Sequence, residues 1–243
     1  MTLLVTGGGG FLGKNLVRRL LDRGEKVRVL ARGAYPELEA WGVECVRGDV
    51  ADANDVERAV VGAQSIFHVA SRVGYWGDYT EYERTNVGGT THLIEAARRH
   101  GVRRLVYTST PSVVIGDQGA PAGADETLPF PKRYLSPYGP TKAEAERRVL
   151  AAHQPGVLHT VALRPHFIFG PGDPQLLPRL VLNAQRGTIA RIGRGDNKVD
   201  VTYIDNCVDA HVQAHDALAA TDSKAGGQAY FLGQESPVLL WIS

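Results

Sequence analysis

Short apolar runs alternate with amphipathic stretches through the first two thirds of the chain. Leu3-Leu4-Val5 is brief, apolar and halted by glycine, the pattern of a buried strand. Leu12, Leu16, Val17, Leu20 and Leu21 then share one helical face, and Gly24 stops that helix. Residues 27–30, 43–47, 65–70, 102–108 and 160–163 read as further strands. Helices are predicted between them over 53–60, 79–100 and 137–152. Strict βα alternation predicts a doubly wound α/β fold, a parallel sheet with right-handed crossovers. Beyond residue 173 the alternation lapses into a helix over 175–186, short strands at 190–192 and 199–203, a helix over 204–219 and a strand at 229–232. A boundary near 170–173 separates a nucleotide-binding part, 1–172, from a substrate lobe, 173–243, with 199–220 expected to return to the sheet.

The first strand and helix are joined by Gly7-Gly8-Gly9-Gly10 and Phe11-Leu12-Gly13. Strand, glycine turn and helix in that order make a dinucleotide fingerprint credible, and with it a Rossmann-type domain. Glycines permit positive φ and let the backbone approach a pyrophosphate, whose charge sits at a helix N-terminus. Two registers fit, Gly7-x-x-Gly10-x-x-Gly13 and Gly8-x-Gly10-x-x-Gly13. An NAD site usually carries an acid at the end of the second strand, but this one ends Leu30-Ala31-Arg32-Gly33. A guanidinium where the carboxylate is missing favours the 2′-phosphate of NADP over NAD. Asp49 is placed either to cap the next helix or to receive an adenine amino group. Small Ala70 and Ser71 at the fourth strand's end allow a ligand close.

After the fifth strand come the hydroxyls of Ser109 and Thr110, at the sheet edge where ligands bind in such folds. A long loop rich in glycine and proline follows, and then Tyr138 and Lys142, at i and i+4 on one helical face. Tyrosine ordinarily titrates near ~10, and an ammonium one turn away is expected to lower that. The pair suits proton exchange with a carbonyl or alcohol oxygen, which Thr110 or Ser109 would also bond.

These pieces together resemble the extended short-chain dehydrogenases/reductases, in the 3β-hydroxysteroid dehydrogenase-like branch. The matching segments are TGGGGFLG at 6–13, GDV at 48–50, TNVGGT at 85–90, YTSTPSV at 107–113, YGPTK at 138–142 and RPHFIFGPGD at 164–173. ARGAYPEL at 31–38 and NKVDVTYIDN at 197–206 look especially like the 2-alkyl-3-oxoalkanoate reductases of bacterial olefin biosynthesis. The resemblance implies Tyr138 as proton donor and acceptor, Lys142 as its tuner and a ribose ligand, Thr110 as the catalytic hydroxyl with Ser109 as fallback, and Asn86 as the active-site asparagine. It also implies cofactor contacts at Gly7, Gly10, Phe11, Leu12, Gly13, Arg32, Asp49, Val50, Ala70, Ser71 and Pro165, and a homodimer through the helices carrying Asn86 and Tyr138. One departure is the strand ending His68-Val69-Ala70-Ser71, where Ala-Ala is more usual. Family members run on for several more helices, so the substrate lobe is expected to be truncated at its C-terminal end.

With 243 residues, 43% hydrophobic, 22% charged and a net charge of +1, composition adds no case for nucleic acid or an acidic membrane. Cys45 and Cys207 lie far apart, the N-terminus lacks a leader pattern, and no run reaches the roughly 20 apolar residues of a transmembrane helix. A cytoplasmic enzyme is expected. His211 and His215 have the i, i+4 spacing of a metal pair, but no third ligand accompanies them, and no metal is expected. Tyr75, Trp76 and Tyr79 are candidates to line an apolar cleft or simply to cover the sheet edge. The expected activity is NADPH-dependent reduction of a keto group, or the reverse oxidation, on a small apolar substrate such as a 2-alkyl-3-oxo acid or a sterol-like ketone. The alternatives are a nucleotide-sugar epimerase or dehydratase, which would use Arg179, Arg186, Arg191 and Arg194 for a diphosphate, and a non-catalytic NADP sensor.

Overall fold

A computed structural model describes residues 2–117, 119, 123–174, 176–188, 194, 196–220 and 222–239. The elements in order are β1 (Thr2–Thr6), α1 (Phe11–Asp22), β2 (Lys26–Ala31), α2 (Pro36–Ala40), β3 (Glu44–Arg47), α3 (Ala53–Val60) and β4 (Ala63–His68). Next come α4 (Tyr79–Tyr82), a π-helical turn (Glu83–Gly88), α5 (Gly89–Arg99), β5 (Arg104–Thr108), a 3-10 turn (Pro111–Val113), α6 (Tyr138–Ala151) and β6 (His159–Pro165). The remainder holds β7 (Ile168–Phe169), α7 (Leu176–Gln185), β8 (Lys198–Val199), β9 (Thr202–Tyr203), α8 (Ile204–Ala217), β10 (Ala229–Leu232) and β11 (Val238–Leu239).

Seven strands form one parallel sheet in the order β10-β6-β5-β4-β1-β2-β3. Its central strands are apolar on both pleat faces because helices cover both. Leu4, Leu30, Ile66, Leu105 and Ala162 pack beneath α3, α5 and α6. Leu3, Val5, Val29, Phe67, Val106 and Val161 pack beneath α1 and α8. An uninterrupted apolar run is therefore two alternating faces, each buried against its own helix layer.

Local chemistry sets the boundaries. Gly24 ends α1 at φ +78°, returning its N–H to Leu21 while Glu25 bonds Leu20. Asp52 caps α3 by accepting the N–H groups of Asn54 and Asp55. The capping role weighed for Asp49 thus belongs to Asp52. The predicted helix over 79–100 is continuous in the chain but contains the π-helical turn, a feature without a periodicity signature. The single strand expected at 199–203 is two short strands with different partners: β8 runs antiparallel to β11 and β9 parallel to β7. The strand expected at 190–192 lies outside the described residues.

One buried ion pair sits inside this frame. Glu146 of α6 and Arg164 of β6 are fully buried and joined twice, Nη2 to Oε1 at 2.6 Å and Nε to Oε2 at 3.1 Å. Arg164→Met would leave a carboxylate unpaired in the interior and is expected to cost about 3–5 kcal/mol in urea denaturation. Glu146→Leu together with Arg164→Met should recover most of that loss. Recovery failing to appear would show that the pair contributes more than mutual neutralisation.

Candidate active site

A cleft of about 1180 Å³ opens at the carboxyl ends of β1, β2, β4, β5 and β6. Gly7, Gly10, Phe11, Leu12, Gly13, Arg32, Asp49, Val50, Ala70, Ser71 and Pro165 all line it, as do Ser109, Thr110 and Tyr138. Asn86 and Lys142 stand one layer behind.

The glycine turn is shaped by close approaches. Gly7 has φ +71°, and a Cβ there would lie 2.9 Å from the backbone of Ala70. A Cβ on Gly13 would lie 2.2 Å from the Gly7 carbonyl oxygen. A Cβ on Gly8 would meet the Val29 side chain at 2.5 Å, so both registers are crowded, and Gly7 differs in its positive φ and in facing backbone rather than a side chain. Gly10 caps α1 without a side-chain bond, and the first turn carries no acid, which leaves its N–H groups for an anion. This cradle fits a dinucleotide pyrophosphate.

Arg32 is exposed at the end of β2 and makes no ion pair among the described residues; its carbonyl accepts from Arg47 Nε at 3.3 Å. Asp49 accepts the N–H of Ala51 at 3.0 Å and stands 3.6 Å from Arg84. The ring of Tyr35 fills the space a Cβ on Gly9 would occupy, stands beside Gly33 and lines the cleft. Nothing in the spacing of Ala34-Tyr35-Pro36 marked that role, because it arises from a turn folding over the glycines.

Thr110 caps the 3-10 turn, accepting the Ser112 N–H at 3.2 Å and donating to Ser112 Oγ at 3.3 Å, and it lines the cleft together with the half-buried phenol of Tyr138. Burial nevertheless pushes the Tyr138 phenol up to about 12; the Thr110 hydroxyl opposes that rise, and neighbouring Tyr75 and Tyr82 add to it. The lowering expected from Lys142 is absent. Lys142 directs its ammonium to the Thr108 carbonyl at 2.6 Å and lies over the Tyr107 ring at 4.1 Å. Burial drops its own titration to about 7, with Glu146 countering. Asn86 accepts the Arg72 N–H at 2.8 Å and donates to the Arg72 carbonyl at 3.2 Å and to Thr141 Oγ1 at 3.1 Å. Thr141 in turn bonds the carbonyls of Pro137 and Tyr138.

Of the aromatic segment, Tyr75 lines the cleft, while Trp76 is 90% exposed and Tyr79 is also exposed. Val73, Leu135, Phe167 and Leu180 add exposed apolar surface to the same walls, and Arg179 contributes a cation. His211 and His215 face the sheet, where His211 meets Thr108 Oγ1 at 2.8 Å and His215 meets Ser65 Oγ at 3.0 Å. Among the described residues no cluster of three or more metal-ligating side chains occurs, and no helix is long and apolar enough to cross a membrane.

Residues 4–242 match the 3-beta hydroxysteroid dehydrogenase/isomerase family. The chain is 49% identical over 240 residues to 2-alkyl-3-oxoalkanoate reductase of Stenotrophomonas maltophilia, covering 98% of this chain and 72% of that protein. It is 44% identical over 242 residues to 2-alkyl-3-oxoalkanoate reductase of Shewanella oneidensis, covering 97% and 62%. This chain thus spans about two thirds of the length of these relatives. Among solved structures, MoeE5 in complex with UDP-glucose and NAD superposes with a TM-score of 0.80 at 32% identity, covering 98% of this chain and 78% of that one.

The depressed titration of Lys142 makes stability depend on pH. Between about 7 and the ordinary 10.5, the unfolded chain binds the proton that the folded chain has lost, so rising pH stabilises the fold. Unfolding free energy should climb through this window by up to about 1.4 kcal/mol per pH unit. Lys142→Met should lack the climb in denaturant titrations at pH 7 to 10. Equal slopes in the two proteins would contradict the burial of an ionisable amine.

Proposed function

This chain belongs to the 3-beta hydroxysteroid dehydrogenase/isomerase family, and on that premise we propose that it reduces the keto group of an apolar 2-alkyl-3-oxo acid with NADPH, or oxidises the matching alcohol in reverse. The observation that carries this reading is the meeting of Tyr138 and Thr110 with the glycine cradle in one cleft walled by Val73, Tyr75, Leu135, Phe167 and Leu180. A bound nicotinamide supplies hydride to the carbonyl carbon. Tyr138 gives its proton to the carbonyl oxygen, and with its titration pushed up to about 12 it is fully protonated at neutral pH, as an acid must be. Thr110 donates to the same oxygen and holds it in place. Lys142, one helical turn away, would have to leave the Thr108 carbonyl to offset the phenolate that proton transfer leaves on Tyr138, and its other role is to contact the ribose. Asn86 acts from behind, fixing Arg72 and the Thr141 hydroxyl that sits on the Tyr138 carbonyl.

For the cofactor, Arg32 takes the 2′-phosphate, Asp49 the adenine amino group, Val50, Ala70 and Ser71 the walls, and Pro165 the nicotinamide side. On this reading residues 1–172 hold the cofactor and 173–243 contribute to the substrate lobe. The setting is cytoplasmic, and the protein is a homodimer through the helices carrying Asn86 and Tyr138. Arg179 on the cleft wall supports a second reading, a nucleotide-sugar epimerase with the same cofactor site.

Tyr138→Phe is expected to lower kcat for an apolar 3-oxo acid roughly 10²–10⁴-fold while leaving the NADPH Kd unchanged. Arg32→Asp should weaken NADPH binding roughly 10- to 100-fold and spare NADH, measured by nucleotide fluorescence. Turnover of a UDP-sugar without net NADPH consumption would favour the epimerase. Cofactor binding with no ketone reduced by the wild type would leave a sensor.

A further inference from the structure

His68, the last residue of β4, is 1% exposed and belongs to no step above. Its Nδ1 lies 2.8 Å from Thr6 Oγ1 and its Nε2 lies 3.0 Å from Thr90 Oγ1. The protons along this row can be assigned. Thr90 donates its one hydroxyl proton to the Asn86 carbonyl at 2.6 Å, and a carbonyl can only accept. Thr90 must therefore accept from His68, so Nε2 carries a hydrogen. At the other end, Thr6 Oγ1 accepts the Ala70 N–H at 3.1 Å and has its own proton left for Nδ1. The row runs one way, from Ala70 N–H through Thr6, His68 and Thr90 to the Asn86 carbonyl.

Its two ends are the functional ones. Ala70 is the residue whose backbone would collide with a Cβ on Gly7. Asn86 lies in the π-helical turn and grips Arg72 and Thr141, and Thr141 bonds the Tyr138 carbonyl. We propose that His68, as the neutral Nε2–H tautomer, is a positioning residue that couples the placement of the glycine turn to that of Tyr138. The proposal rests on the cofactor and Tyr138 roles given above. Burial drops the ring's titration to about 3, and the nearby Lys142 charge adds to the effect. The Tyr107 ring, centred 5.4 Å away, covers the imidazole, and its phenol is pushed up by the same burial. The ring therefore keeps a single proton at any pH the protein meets, and the direction of the row cannot reverse.

Two amide substitutions divide the row. Asn at position 68 presents its amide near the place of Nδ1, and Gln reaches toward the place of Nε2. His68→Asn should keep the NADPH Kd within a factor of two or three but lower kcat at saturating NADPH roughly tenfold, because the Thr90 contact is lost. His68→Gln should do the reverse, weakening NADPH binding roughly tenfold with kcat less affected. In 15N NMR of the cofactor-free protein, His68 should give the Nε2–H signature unchanged from pH 5 to 8. If both His68 variants fail to fold, Thr90→Val should lower kcat and Thr90→Ser, which retains the hydroxyl proton, should restore it. An Nδ1–H or charged ring in a protein that binds NADPH normally would overturn this proposal alone. So would Asn and Gln variants whose Kd and kcat fall together with the folded fraction. A wild type that binds no NADPH would take down both this proposal and the functional reading.

Discussion

The closeness with which the β1–α1 turn passes the end of β4 governs the whole carboxyl edge of the sheet. A methyl group on Gly7 would meet the Ala70 backbone at 2.9 Å, and one on Gly13 would meet the Gly7 carbonyl at 2.2 Å. Only glycine allows the strand, the turn and the helix start to lie this near together. Because they do, the uncapped first turn of α1 faces the cleft, and Ala70 and Ser71 line the same cleft. The constraint extends inward, since Thr6 precedes the turn and its hydroxyl accepts the Ala70 N–H and donates to the His68 ring.

Around that edge the interior is more polar than a fold of this size requires. Lys142, Glu146, Arg164, His68 and His211 are all nearly inaccessible to water. Burying such groups costs free energy unless each is paired or neutral, and here each has its solution. Glu146 and Arg164 neutralise each other, the histidines are held neutral, and Lys142 is left to a carbonyl and a ring face at a titration near 7.

The parallel sheet and the glycine turn were legible because a parallel βα fold writes itself as local periodicity. Thr110 and Asp49 are legible as cleft residues because they follow strand ends, and Tyr138 because it shares a helical face with Lys142 at the start of α6. Other features depend on contacts distant in sequence. The Tyr35 ring meets Gly9, far from it in sequence, only through the tertiary fold. Residues 199–203 read as one strand, although their halves pair with β11 and β7. The direction of the Tyr138 shift is not legible from the sequence, because i, i+4 spacing fixes a shared face but not where a long lysine stem points; this one points at Thr108. Asn86 was placed on the right helix, but the π-helical turn behind Tyr138 that buries its amide leaves no trace in hydrophobic spacing.

The central claim is that hydride passes to a ketone carbon while Tyr138 protonates the oxygen. Its most direct measurement follows isotope rather than absorbance. The protein, incubated with NADPH deuterated on the transferring face of C4 and a long-chain 2-alkyl-3-oxo acid, should yield a 3-hydroxy acid with deuterium at C3, read by mass spectrometry. With Tyr138→Phe the label should be nearly absent, although NADPH remains bound. Folded, NADPH-bound wild-type protein that leaves the ketone unlabelled, or that reduces it equally well without the Tyr138 hydroxyl, would contradict the claim.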